Sequence, residues 1–95
     1  MNIRFRDISR GVVEARASIE ITSGVYVNEI SVIKKGKELE IEFPQKSFRS
    51  HDGGIHYVDL ITFENEQKRI IWSLEIKDAY LKWRERNKPV LVYRK

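Results

Sequence analysis

The chain has no cysteine, which excludes a disulfide framework and any thiolate chemistry. No stretch approaches the ~18 consecutive apolar residues of a membrane span. The first ten residues, MNIRFRDISR, are charged throughout, unlike a secretory signal. A soluble, cytoplasmic protein is the expectation. Histidine is scarce. His51 and His56, with Asp52 and Asp59 nearby, are too few for a convincing ligand set, so no metal is expected. Gly53-Gly54 precedes strand-like rather than helical sequence, so it is not a phosphate-cradling loop, and no nucleophile elbow occurs. Asp59 is the one carboxylate that reads as inward-facing beside aromatics, and it has no partner acid or base. The chain is therefore not expected to be an enzyme, nor to take a cofactor or a small-molecule substrate.

What is present is charge, unevenly placed. The chain has 95 residues, 18 basic and 14 acidic, for a net charge of +4. Residues 82–95 hold Lys82, Arg84, Arg86, Lys88, Arg94 and Lys95 against Glu85 alone, leaving 12 basic and 13 acidic side chains in residues 1–81. The positive excess is a carboxy-terminal tail, read either as a solvated terminus or as a polyanion contact. One domain spans residues 1–95. A chain this short buries only about two-thirds of its unfolded surface, so dimerisation would supplement its core.

Residues 13–44 organise the rest. Val13, Ala15, Ala17, Ile19 and Ile21 alternate with Glu14, Arg16, Ser18, Glu20 and Thr22, the period of a half-buried strand. Ser23-Gly24 makes a turn. Residues 25–33 form a second strand that changes phase. Val25 and Val27 fall on one parity and Ile30 and Val32 on the other, so a β-bulge is predicted near Asn28-Glu29. Lys34-Lys35-Gly36-Lys37 is a second turn, and Leu39, Ile41 and Phe43 alternate with Glu38, Glu40 and Glu42 until Pro44 stops the ladder. Residues 1–8 form a preceding strand, with Ile3 and Phe5 on one face and Arg4 and Arg6 on the wet one. Ser9-Arg10-Gly11 is the turn into the meander.

Residues 45–54 read as a polar loop ending in an Asp52-Gly53-Gly54 turn, and residues 55–63 as a strand. The loop sets Lys46, Arg49 and His51 beside Phe48, a mixture suited to single-stranded nucleic acid or, equally, to a mobile hairpin loop with Phe48 tucked under a sheet edge. From Glu64 the period becomes helical. Asn65 is the predicted N-cap, and the helix should run over about residues 66–84. Ile70, Leu74 and Leu81 share one stripe. Trp72, Ile76, Ala79 and Trp83, with Tyr80 at their margin, share another. One stripe should pack on the sheet. The other has either a second sheet edge or a second subunit to cover, and the tryptophans favour Trp72, Ile76, Ala79 and Trp83 as a homodimer contact. Asn87-Lys88-Pro89 ends the helix, and residues 90–93 form a short final strand or an arm. The fold class is α+β: an antiparallel meander with a carboxy-terminal helix.

The ordered set Ala15-Arg16-Ala17-Ser18-Ile19, Tyr26-Val27, Ile30-Ser31-Val32-Ile33, Gly36 and Phe43-Pro44 resembles the stage V sporulation protein G (SpoVG) family. Lys46, Asp52-Gly53, Asp59, Arg69 and Tyr80 extend the resemblance, which covers roughly residues 13–81. It implies a cytoplasmic homodimer that binds DNA or RNA and regulates gene expression, sporulation septation or virulence. The chain departs from the family pattern at Ser47, where the family pairs arginine with the preceding lysine, and at Val58, where it has arginine. Its loop is longer, and Phe63 stands where proline is common. The expected phosphate contacts are Lys46, Arg49, Lys68 and Arg69, supplemented by Lys82, Arg84 and Arg86. The alternative is a dimeric protein-interaction module, without nucleic-acid binding, that docks a partner on the Trp72/Trp83 stripe.

Overall fold

Strand alternation in the first half of the chain gives a single sheet. In the computed structural model, which describes residues 1–87, β1 (Asn2–Arg10), β2 (Val13–Thr22), β3 (Val25–Lys35) and β4 (Glu38–Glu42) pair antiparallel in sequence order. β5 (Gln45–Arg49) and β6 (Ile55–Asp59) make a separate two-stranded sheet, and α1 (Glu66–Arg86) follows. The fold is α+β, a six-strand antiparallel meander in two sheets with one carboxy-terminal helix. The expected final strand over residues 90–93 lies outside the described residues.

The predicted bulge is present. Ala17 pairs with Ile30 and Ile19 with Val27, so Ser18 alone faces Asn28 and Glu29, and Glu29 takes a left-handed φ of 64°. The extra residue resets the side-chain alternation. Val27, of one sequence parity, and Ile30 and Val32, of the other, all reach the same core. A second irregularity separates Glu20 from Thr22 on β2. It breaks the alternation beyond Ile19, and Ile21, expected inside, is 53% exposed. The turn after β1 is Gly11-Val12 rather than Ser9-Arg10-Gly11, because β1 carries its own irregularity and stays paired through Arg10↔Val13.

The core lies between the sheet and α1. Ala15, Ala17 and Ile19 of β2, Ile30 and Val32 of β3, Ile41 of β4, and Ile76 and Tyr80 of α1 are buried together. Two alanines at the centre of β2 leave room for large rings opposite. Phe5, Tyr80 and Trp83 form one aromatic cluster with centroids 5.5–6.0 Å apart. Phe43, Phe63 and Trp72 form another toward the helix start, at 4.9 and 5.4 Å. Such pairs add ~0.5–1.5 kcal/mol each beyond their area.

Asn65 caps α1 as predicted: its backbone is extended and its Oδ1 accepts the Lys68 N–H at 2.9 Å. At the other end the Asn87 N–H donates to the Trp83 carbonyl at 3.0 Å.

Residues 45–54 are not the polar loop that their composition implies. Five of them, Gln45–Arg49, are β5, paired in register with β6 from Gln45↔Asp59 to Arg49↔Ile55. β6 stops at Asp59, short of residue 63. All five residues of β5 are exposed, so neither of its faces carries the apolar alternation by which a strand is recognised.

Candidate nucleic-acid interface

Strand register divides the hairpin's functional side chains between its two faces. Lys46 pairs with Val58 and Phe48 with His56, which puts these four on one face. Ser47 with Tyr57 and Arg49 with Ile55 occupy the other. Lys46 and Arg49 therefore point away from one another. On the Lys46 face the Phe48 and His56 rings stack, centroids 5.4 Å apart and planes 24° off parallel, and Phe48 stays 48% exposed. Phe48 is thus tucked under no sheet edge. Asp59, expected to face inward, is exposed and accepts a hydrogen bond from Gln45 Nε2 at 2.7 Å.

The connecting turn is tightly bonded. The Ser50 N–H donates to the Gly54 carbonyl at 2.9 Å and the Gly53 N–H to the Ser50 carbonyl at 3.0 Å. Asp52 Oδ1 accepts the Ser50 hydroxyl and, at 2.9 Å, the Gly54 N–H. These two donors, the hydroxyl first, hold the Asp52 carboxyl below its ordinary value. Gly53 has φ +84°, a conformation that a side chain would strain.

The helix cations are placed differently. Lys68 Nζ lies 2.8 Å from Glu64, and Arg69 Nε reaches both Glu66 oxygens at 3.0 Å, which lowers the Glu66 carboxyl. Lys82 Nζ lies 3.1 Å from Asp78, and the Arg84 guanidinium sits 5.5 Å from the Tyr80 ring centre. Arg84 and Arg86 occupy the last turn, where the helix dipole favours cations. At 1.5 Å per residue, Lys68 and Arg86 are ~27 Å apart along the axis, so these cations form no single patch. Among the described residues neither Lys46 nor Arg49 is ion-paired. Lys88, Arg94 and Lys95 lie outside the described residues.

The stripe assigned to the dimer contact faces the chain's own sheet. Ile76 is fully buried there, Tyr80 is 2% exposed, and Trp72 and Trp83 pack against the same core. Of the expected dimer contact Trp72, Ile76, Ala79 and Trp83, Ile76 is corrected to the monomer core, Trp72 and Trp83 pack partly against that core, and Ala79 is half-buried. Trp72 and Trp83 are half-buried against that core, so the docking surface of the alternative reading keeps only their outer edges. The exposed stripe is Ile70, Leu74 and Leu81, at 47%, 57% and 44%.

One cluster was not singled out in the sequence. Arg6 of β1 is directly opposite Arg16 of β2, and Arg4 is opposite Ser18. Alternation places Arg4 and Arg6 on one face of β1, but strand register is needed to bring Arg16 beside them. In comparisons with known proteins, no family model matches the chain and no curated protein matches it.

Proposed function

We propose that the protein is a SpoVG-like homodimeric regulator that binds DNA or RNA in the cytoplasm. One observation carries the reading: Lys46 shares an exposed hairpin face with the Phe48–His56 stack. A cation beside an open aromatic platform suits a single strand, with phosphate attraction supplying affinity and ring stacking ~1–3 kcal/mol per base. Arg49 draws a phosphate on the opposite face of the same hairpin. Lys68 and Arg69, already paired with Glu64 and Glu66, add less than their formal charge, and Lys82, Arg84 and Arg86 add diffuse attraction. The dimer uses the exposed stripe Ile70, Leu74 and Leu81.

Fluorescence anisotropy with short DNA and RNA at two salt concentrations tests this. Binding should fall steeply with salt, and Lys46→Glu and Arg49→Glu should weaken it across sequences, each flattening the log–log salt slope by about 1. No binding at low salt would overturn the reading. A second reading, a protein-interaction module, draws on the exposed Ile55, Tyr57, Val58 and Leu60 of the hairpin region. It gains if oligonucleotides fail to bind while the chain remains dimeric.

A further inference from the structure

The outer face of the four-stranded sheet carries an arrangement that folding alone disfavours. Arg6 and Arg16 are a direct cross-strand pair, and like charges so placed are destabilising. Arg16 is partly relieved by Glu29, whose Oε2 accepts from Nη1 at 2.8 Å. Among the described residues Arg6 has no carboxylate within ion-pair distance. Two positions back on β1, Arg4 lies over the Tyr26 ring, with Cζ 4.5 Å from its centre.

Arg4, Arg6 and Arg16 line a cleft of about 280 Å³ with Phe5, Ser18, Asn28 and one carboxylate, Glu29, and Tyr26, outside that lining, adjoins it through Arg4. The β3 bulge builds one wall, because its extra residue turns Asn28 and Glu29 toward β2, where Ser18 Oγ donates to Asn28 Oδ1 at 2.7 Å. Glu20, the next carboxylate along β2, is engaged by the Gly24 N–H at 3.0 Å and by Asn2 Nδ2. It lies beside Tyr26 and within reach of the Arg4 charge, both of which help to hold its carboxyl below the ordinary range after Gly24 and Asn2, and away from Arg6.

We infer that this Arg4–Arg6–Arg16 cleft with Tyr26 is a second binding site, for the phosphodiester backbone of single-stranded nucleic acid. Guanidinium groups bind phosphate oxygens bidentately, and an arriving phosphate would neutralise the Arg6–Arg16 repulsion. Arg16 spends one of its five N–H donors on Glu29 and keeps the rest. Arg4 and Arg6 are ~6.8 Å apart along the strand, a span suited to neighbouring phosphates of an extended chain. Splayed bases of a single strand stack on sheet aromatics such as Tyr26, whereas paired bases within a duplex offer no free face to such a ring. The inference rests on the nucleic-acid reading for its ligand class, but it uses none of the hairpin residues.

The test is anisotropy with labelled oligothymidylate and oligouridylate, comparing wild type with Arg4→Gln/Arg6→Gln, Lys46→Glu and the remote control Lys37→Gln. The double variant should bind at least ~10-fold more weakly, with a salt slope reduced by about 2, and the control should match wild type. Its melting temperature should hold or rise, because a like-charge pair is removed. Wild-type binding that the double variant keeps in full overturns this site and leaves the nucleic-acid reading standing. No wild-type binding overturns both. Equal affinity for duplex of the same length, or equally effective competition by polyglutamate, overturns the single-strand assignment.

Discussion

Tyr80 shows at the scale of one residue how the helix is fixed to the sheet. Its ring is buried between Phe5 and Trp83, and its hydroxyl donates to Glu14 Oε2 at 3.2 Å. Burial, and then the Glu14 carboxylate, raise its phenol above the ordinary tyrosine range. A neutral phenol is therefore favoured in the folded state. Its stabilising effect is complete below the unfolded-state value near pH ~10 and is lost as pH rises from there through the raised folded value. Tyr80→Phe should cost about 1 kcal/mol at neutral pH through the lost hydrogen bond, and should lose less stability than wild type above pH ~10. Urea midpoints compared between about pH 8 and about pH 11 measure both, and parallel curves would remove Tyr80 as the cause. The sequence put Tyr80 only at the margin of a stripe. Its burial depends on Phe5 of β1 and Trp83, which flank its ring, a proximity that helical period alone does not contain.

Among the elements, α1 and the β2–β3 pair were legible because each buries one face, and burial writes a period into the sequence. Even the bulge was readable, since a strand whose apolar parity changes between Val27 and Ile30 needs one extra residue to keep both on the core face. β5 wrote no such period because both of its faces are wet, whereas β6 was legible from the strand-forming residues Ile55, Tyr57 and Val58 although its faces are wet too. An isolated two-stranded hairpin is marginally stable in water, so β5–β6 should open independently of the sheet. Its turn depends on the Asp52 carboxylate, whose value is lowered by the Ser50 hydroxyl and the Gly54 N–H. A lowered value means stabilisation that is present above the ordinary carboxylate range and lost as pH falls through the lowered folded value. Backbone NMR should show the β5–β6 amides losing their paired chemical shifts on acidification below pH ~4 while those of β2 and β3 persist. Asp52→Ala should show the open signature already at neutral pH. Simultaneous loss of both sheets would mean that the hairpin is coupled to the core.

At the scale of the whole molecule, charge counted along the chain pointed to the carboxy-terminal tail, whereas the arginines that come together are Arg4, Arg6 and Arg16, from two strands. Proximity of that kind depends on register, which composition does not contain. The two helix stripes posed a similar problem. Their existence was readable, but which one met the sheet depended on aromatic partners from distant parts of the chain, Phe5 beside Tyr80 and Trp83 and Phe63 beside Trp72. The remaining stripe gives the last prediction. Leu74 is 57% exposed in the monomer, so Leu74→Glu should leave the melting temperature of a single chain almost unchanged, since surface substitutions typically shift stability by about ±0.5 kcal/mol. In a symmetric pair each helix stripe meets its own copy, and one substitution then buries two like charges at the contact. Size-exclusion chromatography with light scattering should find wild type at twice the chain mass and Leu74→Glu at the chain mass, with unchanged circular dichroism. A wild-type monomer at every workable concentration would end the homodimer reading, and a dimeric Leu74→Glu would move the contact off this helix face to the exposed Ile55, Tyr57 and Val58 of the hairpin.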